Sequence, residues 1–214
     1  MNYNNFREAC DKVEKPAHKR IYKRIYEPLI KMGWIYEEVH DVGLQKKGVD
    51  VIMTWPAGGR DCNVAIDEKA KEKVKDMDKA KKYNEEDTFG LELTTENQDG
   101  TTKIGWFLKE SVTTHYLMYY KESHGDGLYK KIDEYVMLVN AKKLKAKILS
   151  IPGLDRDSLL NPSQDGIHGI IIGSNIKDGR IFYDKDRPEH GRFLVLPLSF
   201  YHSIEGTNVY KIED

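Results

Sequence analysis

Residues 45–70, QKKGVDVIMTWPAGGRDCNVAIDEKA, constrain the fold more than any other part of the chain. Two runs, 49–55 and 62–70, carry strand-forming residues, and the turn-rich hexapeptide PAGGRD lies between them. That pattern predicts a β-hairpin. If Trp55 and Cys62 close the loop as opposite residues, Val51 faces Ile66 and Asp50 faces Asp67. Directly opposed side chains share a face, with Cβ atoms about 4.5–5.5 Å apart. A pairing sum shifted by two keeps both aspartates on one face, whereas a sum shifted by one separates them. Lys69, two residues beyond Asp67, points to that same face.

Two carboxylates opposed across a sheet repel, and each resists ionisation beside the other. A divalent cation between them removes the conflict. Mg²⁺ favours one or two carboxylates completed by waters and phosphate oxygens. A lysine two residues on can orient or deprotonate an attacking water, or stabilise the charge that develops on phosphorus. The expected centre therefore has Asp50, Asp67 and Lys69 as catalytic residues, with Asp50 and Asp67 holding Mg²⁺ or Mn²⁺. The bland alternative is a surface salt-bridge group. Among the many acids and lysines of the chain, Asp67-Glu68-Lys69 is the only acid-x-Lys tripeptide.

Around the hairpin the pattern is mixed α and β. Ile21, Ile25 and Leu29 recur at helical spacing, which predicts a helix over 17–32. Pro16 suits its entry and Gly33 its exit, while Pro28 should kink or split it near Arg24. A strand is expected at 34–40, with a looser turn at Asp41-Val42-Gly43 before the hairpin. The lysine-rich run 71–83 has apolar points at Val74, Met77 and Ala80, consistent with a solvated helix. FGLELT, HYLMYY and EYVMLVN read as strands, NQDGTT as a tight turn and AKKLKAKILS as a helix. HGIIIGS, RIFYD, FLVLPLSFY and NVYKIE read as C-terminal strands that complete or flank the same sheet. One α/β domain accounts for the whole.

Gly48-Val49-Asp50-Val51-Ile52, a hairpin, then Ala65-Ile66-Asp67-Glu68-Lys69-Ala70 resembles the PD-(D/E)XK, or restriction-endonuclease-like, nuclease superfamily. Its core order of helix, three strands, helix and strand is similar to the order read over 17–120. The resemblance implies a restriction-endonuclease-like mixed β-sheet flanked by helices, here with extra C-terminal strands. It also implies that Asp50 is the metal-binding aspartate, Asp67 the second acid and Lys69 the catalytic lysine. Glu68 stands where the family usually has an apolar residue, and no proline precedes Asp50. By strand alternation Glu68 points to the opposite face with Ile66 and Val64, unless a bulge or strand end turns it back as a ligand.

Accessory candidates each carry two readings. Gln45 contacts a phosphate or the water shell, or is a loop amide. Glu92 has opposite parity to Phe89, Leu91 and Leu93, and supplies a carboxylate to the metal or faces solvent. Glu27 resembles the glutamate that some superfamily members add from the first helix, or is a solvated helix residue. Lys19, Arg20, Lys23 and Arg24 in the first helix, with Lys71, Lys73, Lys75, Lys79, Lys81 and Lys82 after the site, grip a phosphate backbone or form a solvated helix face. Trp106 stacks on a base or sits in a core.

Charge decides how such a grip would work. The 214 residues carry a formal net charge of −1, so nucleic acid must be bound by a local patch. Cys10 and Cys62 form no metal-ligand or disulfide framework, which fits free thiols in a reducing cytoplasm. His115, His168, His190 and His202 make no HxH or HExxH pattern, which disfavours a histidine-metal enzyme. The polar start reads as no signal peptide, and no apolar run approaches the ~20 residues of a membrane span. The leading expectation is a cytoplasmic, Mg²⁺-dependent nuclease acting on nucleic acid, DNA above all, with a homodimer favoured if both strands are cut. The alternative is a nuclease-like fold without catalysis that binds nucleic acid or protein.

Overall fold

The computed structural model describes residues 3–58, 60–75, 88–96, 100–124, 131–160, 170–171, 179–184 and 191–212. The protein is mixed α/β, with one mixed six-stranded sheet and a second, antiparallel five-stranded sheet. Each sheet belongs to its own compact unit.

The first unit comprises Arg7–Asn84, Ser111–Ala141 and Gly206–Asp214. It opens within α1 (Tyr3–Ile21) and continues through a π-helical turn (Tyr22–Tyr26) into α2 (Glu27–Lys31). Helix therefore begins well before residue 17, and Pro16 lies inside α1 rather than at its entry. The interruption expected from Pro28 is present as the π turn. Pro28 has no N–H to return to the Arg24 carbonyl, and the Glu27 N–H bonds Tyr22 O instead, one residue further back than in an α-helix. Gly33, at φ 97°, ends the helix in the left-handed region that favours glycine.

Strand β1 (Ile35–Glu38) leads to the five-residue α3 (Val42–Lys46), where a looser turn was expected. Asp41 explains the helix: its carboxylate caps the Leu44 N–H at 2.8 Å. The hairpin follows as β2 (Val51–Ala57) and β3 (Arg60–Lys75), with Trp55 opposite Cys62 and Val51 opposite Ile66. Strand β3 continues past the hairpin to Lys75, so the first part of the helix expected over 71–83 is strand, and 76–83 lies outside the described residues. The reason is pairing: β3 runs parallel to β6 (His115–His124) from Ile66 opposite His115 to Lys75 opposite His124. Ladder bonds along ten residues outweigh the weak amphipathic pattern of a lysine run.

Strand β7 (Lys131–Asn140) and β11 (Asn208–Ile212) complete the sheet, in the order β1-β2-β3-β6-β7-β11. Residues Tyr116 to Tyr120 of β6 are buried without alternation, as a central strand covered on both faces should be. One face packs Val51, Met53, Ile66, Leu117, Tyr119 and Val136 against Ala17, Ile21 and Tyr26 of the helical segment.

The second unit comprises Met1–Phe6, Glu85–Glu110 and Lys142–Glu205. FGLELT forms β4 (Thr88–Glu96), paired with β5 (Thr102–Ile104) on one side and β10 (Gly191–Pro197) on the other. Strands β9 (Arg180–Asp184) and β8 (Ile170–Ile171) extend the sheet, so of the C-terminal strands only β11 joins the first sheet. The helix expected at AKKLKAKILS is α4 (Ala141–Leu149), with Leu144 and Ile148 buried. α5 (Arg156–Leu160) follows it. FLVLPLSFY divides at Pro197 into β10 and α6 (Leu198–His202). Pro197 has no N–H for a strand ladder and is pre-set for helix entry. Among the described residues no helix is long and apolar enough to cross a membrane.

Candidate active site

The site lies where β2 and β3 part. Their ladder ends at Val51 opposite Ile66, while β3 continues alone on that edge. The Asp50 N–H still reaches Ile66 O at 2.9 Å, and Asp50 O accepts from the Val39 N–H at 2.8 Å. Asp50 and Asp67 therefore occupy the opposed positions that the hairpin register implies. The Asp50 Oδ2 atom accepts the Glu68 N–H at 2.8 Å, closing the first ladder position that β2 vacates.

Asp67 is buried, at 3% exposure, and its Oδ1 accepts from the Lys69 ammonium. Burial pushes the Asp67 carboxyl up to about 7; Lys69 opposes the shift, and the neighbouring Asp50 adds to it. Burial alone would push the Lys69 ammonium down, but Asp67 and Asp50 more than compensate and hold it above its ordinary value. Lys69 is thus a proton-bearing cation rather than a ready base.

Glu68 points to the helix-covered face, as strand alternation predicts. Its Oε1 accepts from the Tyr26 hydroxyl at 2.7 Å, and its Oε2 lies 2.7 Å from His18 Nδ1. Both partners come from the helical segment that opens the chain. Tyr26 is buried, and burial first, then the Glu68 charge, drives its hydroxyl well above its ordinary value. The Glu68 carboxylate is accordingly an anchor between helix and sheet.

A cavity of about 550 Å³ opens along the vacated edge of β3. Asp50, Glu68 and Lys69 line one wall, and Glu14, Lys15 and His18 of α1 line another. Gln45 also lines it, although its amide is held by a hydrogen bond to Val39 O at 2.8 Å. The helix acid beside the cavity is Glu14, not Glu27. Glu27 is half-buried and pairs with Lys31 at 2.8 Å, one turn along the same surface. Glu14 was not legible as a site residue because the helix expected over 17–32 began after it, and His18, inside that helix, gave no sign that it would meet Glu68. Their four-residue spacing on a longer helix was the signal available.

Glu92 belongs to the second unit, half-buried on β4 opposite Phe193. Trp106 is half-buried in the same unit, edge-on to Phe107. Of the cationic candidates, Arg20 is engaged by Glu134 at 2.9 Å and Arg24 is half-buried, whereas Lys19 and Lys23 are exposed. Lys71 lies over the Tyr120 ring at 5.7 Å. The side chains of Lys73, Lys75, Lys79, Lys81 and Lys82 lie outside the described residues.

Among the described residues no group of three or more His, Cys, Asp or Glu side chains is arranged to hold a metal ion. The donor set at the hairpin is two carboxylates, Asp50 and Asp67. Two carboxylates satisfy Mg²⁺, which keeps several waters, though not a structural zinc site. Asp67, raised by burial and by the charge of Asp50, is also a group that a cation would relieve. The donor set fits the hard cation and not the soft one. No protein-family model, curated protein or solved structure matches this chain.

Proposed function

We propose that the chain is a PD-(D/E)XK-type nuclease that hydrolyses phosphodiester bonds of nucleic acid, DNA above all, with Mg²⁺ or Mn²⁺. The observation that carries the reading is the convergence of Asp50, Asp67 and Lys69 where β2 leaves β3, beside a cavity large enough for part of a nucleotide chain. Asp50 and Asp67 would hold the cation. When bound, it would lower the pKa of a coordinated water and offset charge on the phosphate. The ammonium of Lys69 is fixed by Asp67, so it serves to orient water or phosphate oxygen and to stabilise added negative charge. Asp50 holds its own orientation by capping the Glu68 N–H.

One observation favours a second reading, a nuclease-like fold that binds without cutting. The Lys69 ammonium already neutralises Asp67, so the pair can persist with no cation. Cleavage of plasmid and single-stranded DNA, scanned with Mg²⁺, Mn²⁺ and EDTA, separates the two. Under the nuclease reading, Asp50→Ala and Lys69→Ala each reduce metal-dependent cleavage by about 100-fold or more, with melting midpoints near that of the parent. Salt-sensitive DNA binding with no cleavage by the parent protein under any divalent ion supports the binding module instead. Neither binding nor cleavage refutes both.

A further inference from the structure

We infer that His18 is a further catalytic residue of this reaction, the proton donor to the oxygen that leaves phosphorus. The inference rests on the nuclease reading above.

The geometry is that of an oriented imidazole. His18 Nδ1 faces Glu68 Oε2 at 2.7 Å, and Glu68 is itself pinned by the Tyr26 hydroxyl at 2.7 Å. A carboxylate on Nδ1 fixes the ring and its tautomer and makes the other nitrogen the reactive one. That nitrogen, Nε2, has no hydrogen-bond partner among the described residues. The ring is about one-third exposed and, from α1, lines the same cavity as Asp50 and Lys69.

The division of labour follows from the neighbours. The Lys69 ammonium donates to Asp67 and is committed to that carboxylate. An imidazole is matched to neutral pH as a donor. The hydrogen bond that His18 Nδ1–H donates to Glu68 raises the imidazole above its ordinary value despite its burial, which favours the proton-bearing form. In the step, the water oxygen bonds to phosphorus while the bond from phosphorus to the leaving oxygen breaks. The electron pair of the broken bond passes to the leaving oxygen, which takes the proton from His18 Nε2. The attacking water loses a proton to solvent, and solvent reloads His18.

The test compares two oligodeoxynucleotides of one sequence: a normal one, and one with sulfur replacing the leaving oxygen at the bond that the parent protein cuts. Thiolate departs without a proton, so it has no need of the donor. His18→Ala and His18→Gln are expected to cut the normal substrate about 100-fold more slowly and the sulfur substrate within a few-fold of the parent. His18→Gln keeps an N–H for Glu68 and so preserves the helix contact. The Mn²⁺ concentration giving half the maximal rate should be unchanged. Equal losses on both substrates would mean that His18 only supports the fold, and a raised Mn²⁺ requirement would make it a ligand; either overturns the inference. So does an undiminished rate on the normal substrate. If the parent cuts neither substrate, the nuclease reading itself fails and takes this inference with it.

Discussion

Asp67 is the residue on which the electrostatics of the site turn. Its folded pKa, about 7, lies above the ordinary 3.8, so the folded protein keeps a proton that the unfolded chain has lost. The sign follows by linkage. The stabilisation is full below 3.8 and is lost as pH rises through about 7. With EDTA present, the stability of the parent relative to Asp67→Asn should therefore decline between roughly pH 4 and 7. Denaturant titrations at several pH values measure the difference directly, and a difference independent of pH would contradict the assignment. His18 is also raised, but from 6.5, so its contribution falls in a higher window. Gly48 supports the same carboxylate by being small. Its φ is +77°, and a Cβ there would come within 3.2 Å of both Asp67 Oδ2 and Thr113 Oγ1. Gly48→Ala should cost about 1–2 kcal/mol from the left-handed backbone alone, and should also lower cleavage by displacing Asp67. Cleavage assays at temperatures well below the melting midpoint distinguish the second effect from the first.

At the scale of elements, the helical segment and the hairpin were legible to different degrees. Alternation and the PAGGRD turn predicted the hairpin, and the structure has the register, Trp55 opposite Cys62, on which the opposition of Asp50 and Asp67 was conditional. The long reach of β3 was not legible, because residues 71–75 gain their strand state from β6, more than forty positions away in sequence. The consequence of the π turn was hidden as well, although Pro28 marked its place. In an unbroken α-helix, positions eight apart are roughly 80° out of line. The wider turn at Tyr22–Tyr26 rotates the chain less per residue, which lets His18 and Tyr26 both address Glu68. Local sequence identifies the proline but not the strand carboxylate that the realigned face will meet. Tyr26→Phe removes one donor from a partly buried carboxylate and keeps the packing. It should lower stability by about 1–2 kcal/mol, read as a shift of the urea midpoint with unchanged slope. No shift would mean that Glu68 does not tie the helix to β3.

At the scale of the molecule, the chain passes repeatedly between two compact units, and the proposed cation site lies wholly in one of them. Near-neutral net charge gave no hint of this division, and neither did the strand patterns. The short apolar runs at FGLELT and HYLMYY look alike in sequence, yet they enter different sheets. Partner choice in β structure is set by distant segments, not by the run itself. The division offers a measurement, because the three tryptophans are distributed between the units. Trp34 and Trp55, with ring centroids 5.4 Å apart, belong to the unit with the site, and Trp106 belongs to the other. A cation that binds only the folded site stabilises it by about 2.7 kcal/mol at a hundredfold excess over Kd. In Trp106→Phe, emission reports the site-bearing unit, and its unfolding free energy should rise with Mn²⁺ by that amount. In the Trp34→Phe/Trp55→Phe variant, emission reports the second unit, and its midpoint should rise less. Protons compete at Asp67, so the first shift should be larger at pH 8 than at pH 5.5. An equal rise in both reporters would show that the units unfold as one. A rise in neither, at both pH values, would remove the cation from Asp50 and Asp67.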